Sequence, residues 1–233
     1  MLEVSHVNVN YGKSRVITDV SFTLNRGRKL VVLGRNGVGK TTLMKCIMGL
    51  LPVEGKGTLT LENKNITKMP AYMHNQMGIG YVPQGREIIP DFTVRENLEL
   101  GCLGHSSVSF KEQFDIVLDY FPALKEHMNR KGGVLSGGQQ QQLAIGRCLM
   151  GRPSIVVLDE PTEGIQPNVV SEIATTLNRI SKEMYLSIIL VEQNIKFAKR
   201  IAEDFIILQK GSIVAQGAIG ELNDDLAKKY LAV

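Results

Sequence analysis

The sequence predicts an α/β fold: a parallel-sheet core, an antiparallel β subdomain on its N-terminal flank, and a helical insertion. Three observations carry that expectation. Continuous apolar runs at residues 30–33, 155–158, 188–191 and 205–208 have the composition of short strands buried on both faces. Helical patterns separate several of these runs, as crossovers between parallel strands require. A glycine-rich loop, Gly34-Arg35-Asn36-Gly37-Val38-Gly39-Lys40-Thr41, leaves the first run and opens a helix. The 233 residues are expected to form one domain, with a helical subdomain over about 86–150 inserted in it.

Taken in order, Leu2, Val4, Val7 and Val9 give residues 2–10 the alternation of a strand, and Tyr11 is expected in the loop after it. Asn25-Arg26-Gly27 reads as a turn between strands at 21–24 and 29–33. A helix is expected from Lys40 to about Met48, and strands at 57–62 and 79–82. Thr93-Val94-Arg95-Glu96 is a capping box and starts a helix. The pattern then stays largely helical to Met150, with loops near 104–108 and 131–134. Residues 168–182 read as a crossover helix, and 223–233 as a short terminal one.

Composition excludes several classes. Hydrophobic residues are 43% and charged residues 21%, ordinary for a globular chain with a good core. The net charge of +4 is scattered, so no nucleic-acid partner is expected. Cys46, Cys102 and Cys148 have no metal-ligand spacing and fit a reduced compartment. The longest apolar stretch, 186–191, is far short of the roughly 20 residues of a membrane helix. No signal peptide is read before the first strand, so any membrane role is expected to come through partners.

The glycine loop matches the phosphate-loop pattern at every fixed position. Its glycines let the backbone wrap a phosphate, Lys40 supplies a point charge, and Thr41 offers a hydroxyl to Mg2+. Asp159 ends an apolar strand and belongs in the Mg2+ shell. Glu160 follows it, placed to orient or deprotonate an attacking water. Gln84 comes directly after the strand at 79–82; a neutral amide there can hold water or metal and swing without moving a charge. Tyr11 offers a ring for stacking on a purine. Leu135-Ser136-Gly137-Gly138-Gln139 is a second anion cradle, since free N–H groups and the dipole of a helix start favour negative charge. One chain therefore carries two phosphate-binding devices, which implies that two chains meet to complete a site.

The order Tyr11, Gly34 to Thr42, Gln84, Leu135 to Gln139, Asp159-Glu160 resembles the ATP-binding-cassette (ABC) ATPases over nearly the whole chain. The Walker A loop is common to many NTPases; the signature at 135–139 makes the resemblance specific. It implies an ABC-type P-loop NTPase with ATP and Mg2+ as cofactors. Tyr11, residues 34–42 (Thr42 included) and Ser136, Gly137, Gly138 and Gln139 bind nucleotide, the last four on the neighbouring chain's ATP. Thr41, Gln84 and Asp159 face the metal, and Glu160, Gln193 and Gln84 the reacting phosphate. Tyr81-Val82-Pro83-Gln84-Gly85-Arg86-Glu87, the glutamine-rich run after Ser136, and Asp159-Glu160-Pro161-Thr162-Glu163-Gly164-Ile165-Gln166-Pro167 are similar to the urea-type ATP-binding subunit of the branched-chain amino acid, urea and amide importer group. That similarity implies a second ABC ATPase subunit, two transmembrane permeases and an extracytoplasmic solute-binding protein, with this chain peripheral on the cytoplasmic face of the inner membrane. Branched-chain amino acid import is the second reading, and a largely non-hydrolytic regulatory subunit the third. Gln193 stands where the general family has a switch histidine, and Gln166 where it has an aspartate; His6, His74, His105 and His127 lie elsewhere. Both departures recur in the branched-chain and urea-type subunits. A glutamine donates a hydrogen bond but carries no proton, so the two ATP sites of a heterodimer are expected to be unequal.

Overall fold

The strands that read as apolar on both sides are covered on both sides. The computed structural model describes residues 1–104 and 109–231. Its elements run β1 (Leu2–Tyr11), β2 (Ser14–Leu24), β3 (Lys29–Leu33), α1 (Lys40–Ile47), β4 (Thr58–Leu61), β5 (Lys64–Asn65), α2 (Ala71–Gln76), β6 (Ile79–Val82) and α3 (Val94–Leu100). They continue as α4 (Phe110–Tyr120), α5 (Gly137–Met150), β7 (Ile155–Asp159), α6 (Pro167–Met184), β8 (Ser187–Glu192), α7 (Ile195–Ile201), β9 (Asp204–Gln209), β10 (Ser212–Ala218) and α8 (Asp224–Tyr230). A six-stranded sheet has the order β10-β9-β3-β8-β7-β6, and a four-stranded sheet the order β2-β1-β4-β5. In the larger sheet every pairing is parallel except that of β10 with β9.

Side-chain alternation divides the larger sheet between two cores. Val31, Leu33, Val156, Leu158, Ile188 and Leu190 join α3 to α7 on one face. Leu30, Val32, Ile155, Val157, Ile189 and Val191 meet α1 and the smaller sheet on the other. Fully apolar strands therefore satisfy both layers at once, which is why their period was invisible and their continuity informative. Helices α3 and α5 cross closely at Gly101, where a Cβ would stand 2.0 Å from the Arg147 carbonyl oxygen. Only a missing side chain permits that approach.

The smaller sheet explains the irregular spacing from Val4 to Val7. The β1–β2 register shifts between those residues, with His6 (φ 51°) and Asp19 (φ 52°) both left-handed and His6 Nδ1 2.7 Å from Asp19 Oδ1. The extra residue of a bulge restores the inward face after one break in alternation. Tyr11 is not in a loop, as expected from sequence; it closes β1, paired with Ser14, because the hairpin is tighter than the alternation implied. The strand expected at 21–24 begins at Ser14, and the turn at Asn25, where Arg28 N donates to Asn25 O, links two different sheets.

The expected capping box is present at Thr93, whose Oγ1 accepts from Glu96 N while Glu96 Oε2 accepts from Thr93 N. The crossover helix is α6, entered through Pro167 at its first position. The loop expected near 131–134 contains a short 3-10 turn at Gly132–Val134. Residues 105–108 of the other expected loop, His105 among them, and 232–233 of the terminal helix lie outside the described residues. Among the described residues no helix is long and apolar enough to cross a membrane.

Candidate functional site

Parallel pairing brings the carboxyl ends of β3, β6, β7 and β8 to one edge. The register sets Leu33 beside Glu192, Asp159 beside Val191, and Val82 beside Leu158. Ligand crevices of open α/β sheets form outside this edge. Here lies a cleft of about 530 Å3, whose lining includes Asn36, Lys40, Thr41, Gln84, Glu160 and Gln193.

The glycine loop is shaped by contacts below it. A Cβ on Gly34 would lie 2.6 Å from Leu208 O and 2.9 Å from Val38 Cγ2, so the chain leaves β3 against β9 with no room for a side chain. Gly39, at φ 106°, turns the chain into α1. Lys40 is 5% exposed; its Nζ donates to Gly34 O (2.9 Å) and Arg35 O (3.1 Å) and sits 3.4 Å from Glu160 Oε1. Loop carbonyls and one carboxylate thus hold the ammonium where it can be handed to phosphate oxygens. Gly37, Gly39, Thr41 and Thr42 line the same cleft. Gly34 and Arg35 line a smaller neighbouring one with Asn36 and Gln193, and Val38 packs beneath the loop, its carbonyl accepting from Gly211 N.

Asp159 is buried. Its Oδ2 accepts from the Tyr81 hydroxyl at 3.3 Å, and its Oδ1 is a buried oxygen with no hydrogen-bond partner among the described residues. Burial pushes the carboxyl above its ordinary value, opposed by the Thr41 and Tyr81 hydroxyls. An orphaned carboxylate oxygen beside a threonine hydroxyl is the hard oxygen set that a Mg2+ ion takes.

Glu160 adopts φ 49°, which swings it off the strand direction into the cleft. Its Oε1 accepts from Gln193 Nε2 (2.8 Å), and its Oε2 from Gln84 Nε2 (3.3 Å). Gln193 Nε2 also donates to Asn36 Oδ1 at 2.7 Å. Gln84 Nε2 reaches Glu163 Oε2 at 3.0 Å, so its amide engages the acidic residues after β7. The cleft therefore sets the Glu160 carboxylate between the Lys40 ammonium and the Gln193 and Gln84 amides.

Ser136, Gly137, Gly138 and Gln139 stand apart from that cleft's lining. Ser136 caps α5: its Oγ accepts from Gln139 N at 3.3 Å, and Gln139 Oε1 accepts from Ser136 N at 3.0 Å. A Cβ on Gly138 would meet Val169 Cγ1 at 2.6 Å. Tyr11 is 49% exposed and is likewise outside the cleft lining.

Sequence reasoning missed Glu192 and Thr162, which line the cleft. Glu192 is buried; it accepts from Thr162 Oγ1 (2.6 Å) and from the backbone N–H groups of Gln193 and Asn194 (3.0 Å each). Burial pushes its carboxyl up, and these donors oppose the shift. Its signal was available, since it ends the run 188–191 as Asp159 ends 155–158. Thr162 carried none.

Fold and cleft together define a phosphate-loop nucleotide-binding protein. The ABC transporter family model matches residues 17–163, and the chain belongs to that family. It is an ATP-binding, ATP-hydrolysing subunit of an ABC transporter. It is 35% identical to the high-affinity branched-chain amino acid transport ATP-binding protein BraG of Pseudomonas aeruginosa, over 99% of each chain. It is 33% identical to the probable branched-chain amino acid transport ATP-binding protein LivF of Archaeoglobus fulgidus, over 95% of this chain and 94% of that one. A nucleotide-free ATP-binding cassette from an ABC transporter superposes with a TM-score of 0.85 at 25% identity, over 100% of this chain and 95% of the other.

Proposed function

We propose that this chain powers an importer for urea or short-chain amides. The observation that carries the hydrolytic part is Glu160, turned into the cleft and held between Lys40, Gln193 and Gln84. Residues 34–42 wrap the ATP phosphates, Lys40 passes from its loop carbonyls to the phosphate oxygens, and Tyr11 stacks on the base. Thr41, Asp159 and Gln84 would hold Mg2+, which would supply positive charge to offset that of the phosphates. Glu160 orients the attacking water and takes its proton. Gln193 donates to the terminal phosphate from a neutral amide, which makes this chain's own site the slower of an unequal pair.

Ser136 to Gln139, outside the chain's own cleft, cap the ATP held by a second ABC ATPase subunit. Two ATPs close the pair, and hydrolysis reopens it. Two permeases and an extracytoplasmic binding protein complete the assembly, with this chain on the cytoplasmic face of the inner membrane. The pattern Gln84-Gly85-Arg86-Glu87 with Gln139-Gln140-Gln141-Gln142 supports the urea or amide reading. The two relatives above favour a second, branched-chain amino acid import. Reconstitution of the complex with its binding protein separates them. Urea or acetamide is expected to raise ATP turnover several-fold while leucine leaves it at the basal rate. Stimulation by leucine alone overturns the first reading and installs the second.

A further inference from the structure

Arg86 is half-buried on the segment after β6 and lines neither the cleft nor its smaller neighbour. Its backbone is left-handed (φ 72°), as is that of Glu87 (φ 45°). Neither residue has the freedom of glycine, so the surroundings must impose this turn. Two contacts do so: Arg86 N donates to Pro83 O at 3.1 Å, and Arg147 Nη2, from α5, donates to Glu87 O at 2.7 Å.

The turn aims the guanidinium between two loops. Nη1 donates to Gln140 Oε1 at 3.2 Å, in the first turn of α5. Nη2 donates to Glu163 O at 3.0 Å, in the loop after Glu160. A Cβ on Gly137 would stand 3.3 Å from Nη2 and 3.4 Å from Nη1, so the planar group lies over the helix start. The same Glu163 receives Gln84 through its side chain, and Gln84 also reaches Glu160. A continuous path therefore runs Glu160, Gln84, Glu163, Arg86, Gln140. One end faces the chain's own nucleotide cleft, and the other is the helix that begins with Ser136, Gly137, Gly138 and Gln139.

We infer that Arg86 is a positioning residue that sets the orientation of the 136–139 cradle according to what occupies the chain's own cleft, and so couples the two ATP sites of the pair. The inference rests on the proposed two-chain sandwich. Physically it needs a rigid, planar, doubly donating cation. A lysine in its place reaches Gln140 or Glu163 and cannot span both.

The test uses the assembled transporter, with hydrolysis followed against ATP concentration, and the isolated chain, titrated with a fluorescent ATP analogue. Arg86→Ala is expected to leave analogue affinity unchanged, to lower turnover of the assembly about tenfold, and to bring its Hill coefficient toward unity. Gln140→Ala should reproduce part of that loss, and the double variant should be no worse than Arg86→Ala, since one path is cut once. Arg86→Lys keeps the charge and should not restore cooperativity. Wild-type cooperativity in Arg86→Ala overturns the inference while leaving the sandwich intact. Equal loss of analogue affinity overturns it by making Arg86 part of the local cleft. A wild-type assembly without cooperativity, in which Ser136→Ala hydrolyses normally, removes the sandwich and the inference together.

Discussion

Glu160→Gln is expected to lower ATP hydrolysis at this chain's own site by about 10²–10⁴-fold while leaving ATP binding intact. The carboxylate is the only acidic group held jointly by Lys40, Gln193 and Gln84 among the described residues, at 3.4, 2.8 and 3.3 Å. A glutamine of the same shape retains an acceptor oxygen for these donors but takes no proton from water. It also removes a negative charge from beside the phosphates, so nucleotide affinity should hold or rise. With binding preserved and hydrolysis blocked, the ATP-closed pair with the second ATPase subunit should accumulate and elute early in size exclusion with ATP. A variant whose own site still hydrolyses ATP at the wild-type rate, in a complex whose partner site is inactivated, contradicts the role given to Glu160.

Lys40→Ala fails one step earlier. Lys40 is 5% exposed, and its ammonium bridges Gly34 O, Arg35 O and Glu160. Removing it takes away the buried positive charge that faces the phosphates and the side-chain cation paired with Glu160. Loss of a charge-assisted contact of this kind costs about 3–4 kcal/mol, or roughly 10²–10³-fold in dissociation constant. Titration with the fluorescent analogue reads the change directly, and the melting temperature without nucleotide reports any damage to the loop itself. Affinity near the wild-type value contradicts the phosphate-binding role.

The two substitutions differ in kind, and both residues were legible in the sequence: Glu160 directly follows a buried strand, and Lys40 opens the helix at the end of the glycine loop that leaves one. Leu30 to Leu33 and Ile155 to Leu158 were legible because burial on both faces leaves an unbroken apolar run. The residues just past such a run land at the sheet's ligand-binding edge. Thr93 was legible because a capping box is local chemistry, and Ser136 because a serine, two glycines and a glutamine mark a helix start that cradles an anion. Elements without local chemistry were not. Helix α2 starts after Pro70 with no side-chain cap, and β10 alternates weakly as an edge strand of mixed exposure. The early half of β2 was hidden by extra residues of its own, since Val7 to Val9 of β1 face Val20 to Ile17 of β2 and Val9 to Asn10 face Ile17 to Arg15. The least legible residues are those defined by contact between distant segments. Arg86 meets Gln140 and Glu163, and Gln139 Nε2 meets His127 Nε2 at 2.8 Å. No periodicity announces such meetings, because the fold creates them only after the helical block has docked on the sheet.

In the proposed pair, the cradle at Ser136 to Gln139 acts on the neighbouring chain's ATP and leaves the chain's own ATP to residues 34–42. Ser136→Ala tests this division of labour most directly, with analogue affinity measured on the isolated chain and hydrolysis on the assembled complex. Unchanged affinity with hydrolysis largely lost is the expected result. A fall in the isolated chain's affinity to the level of Lys40→Ala would place the cradle in its own site and contradict that division.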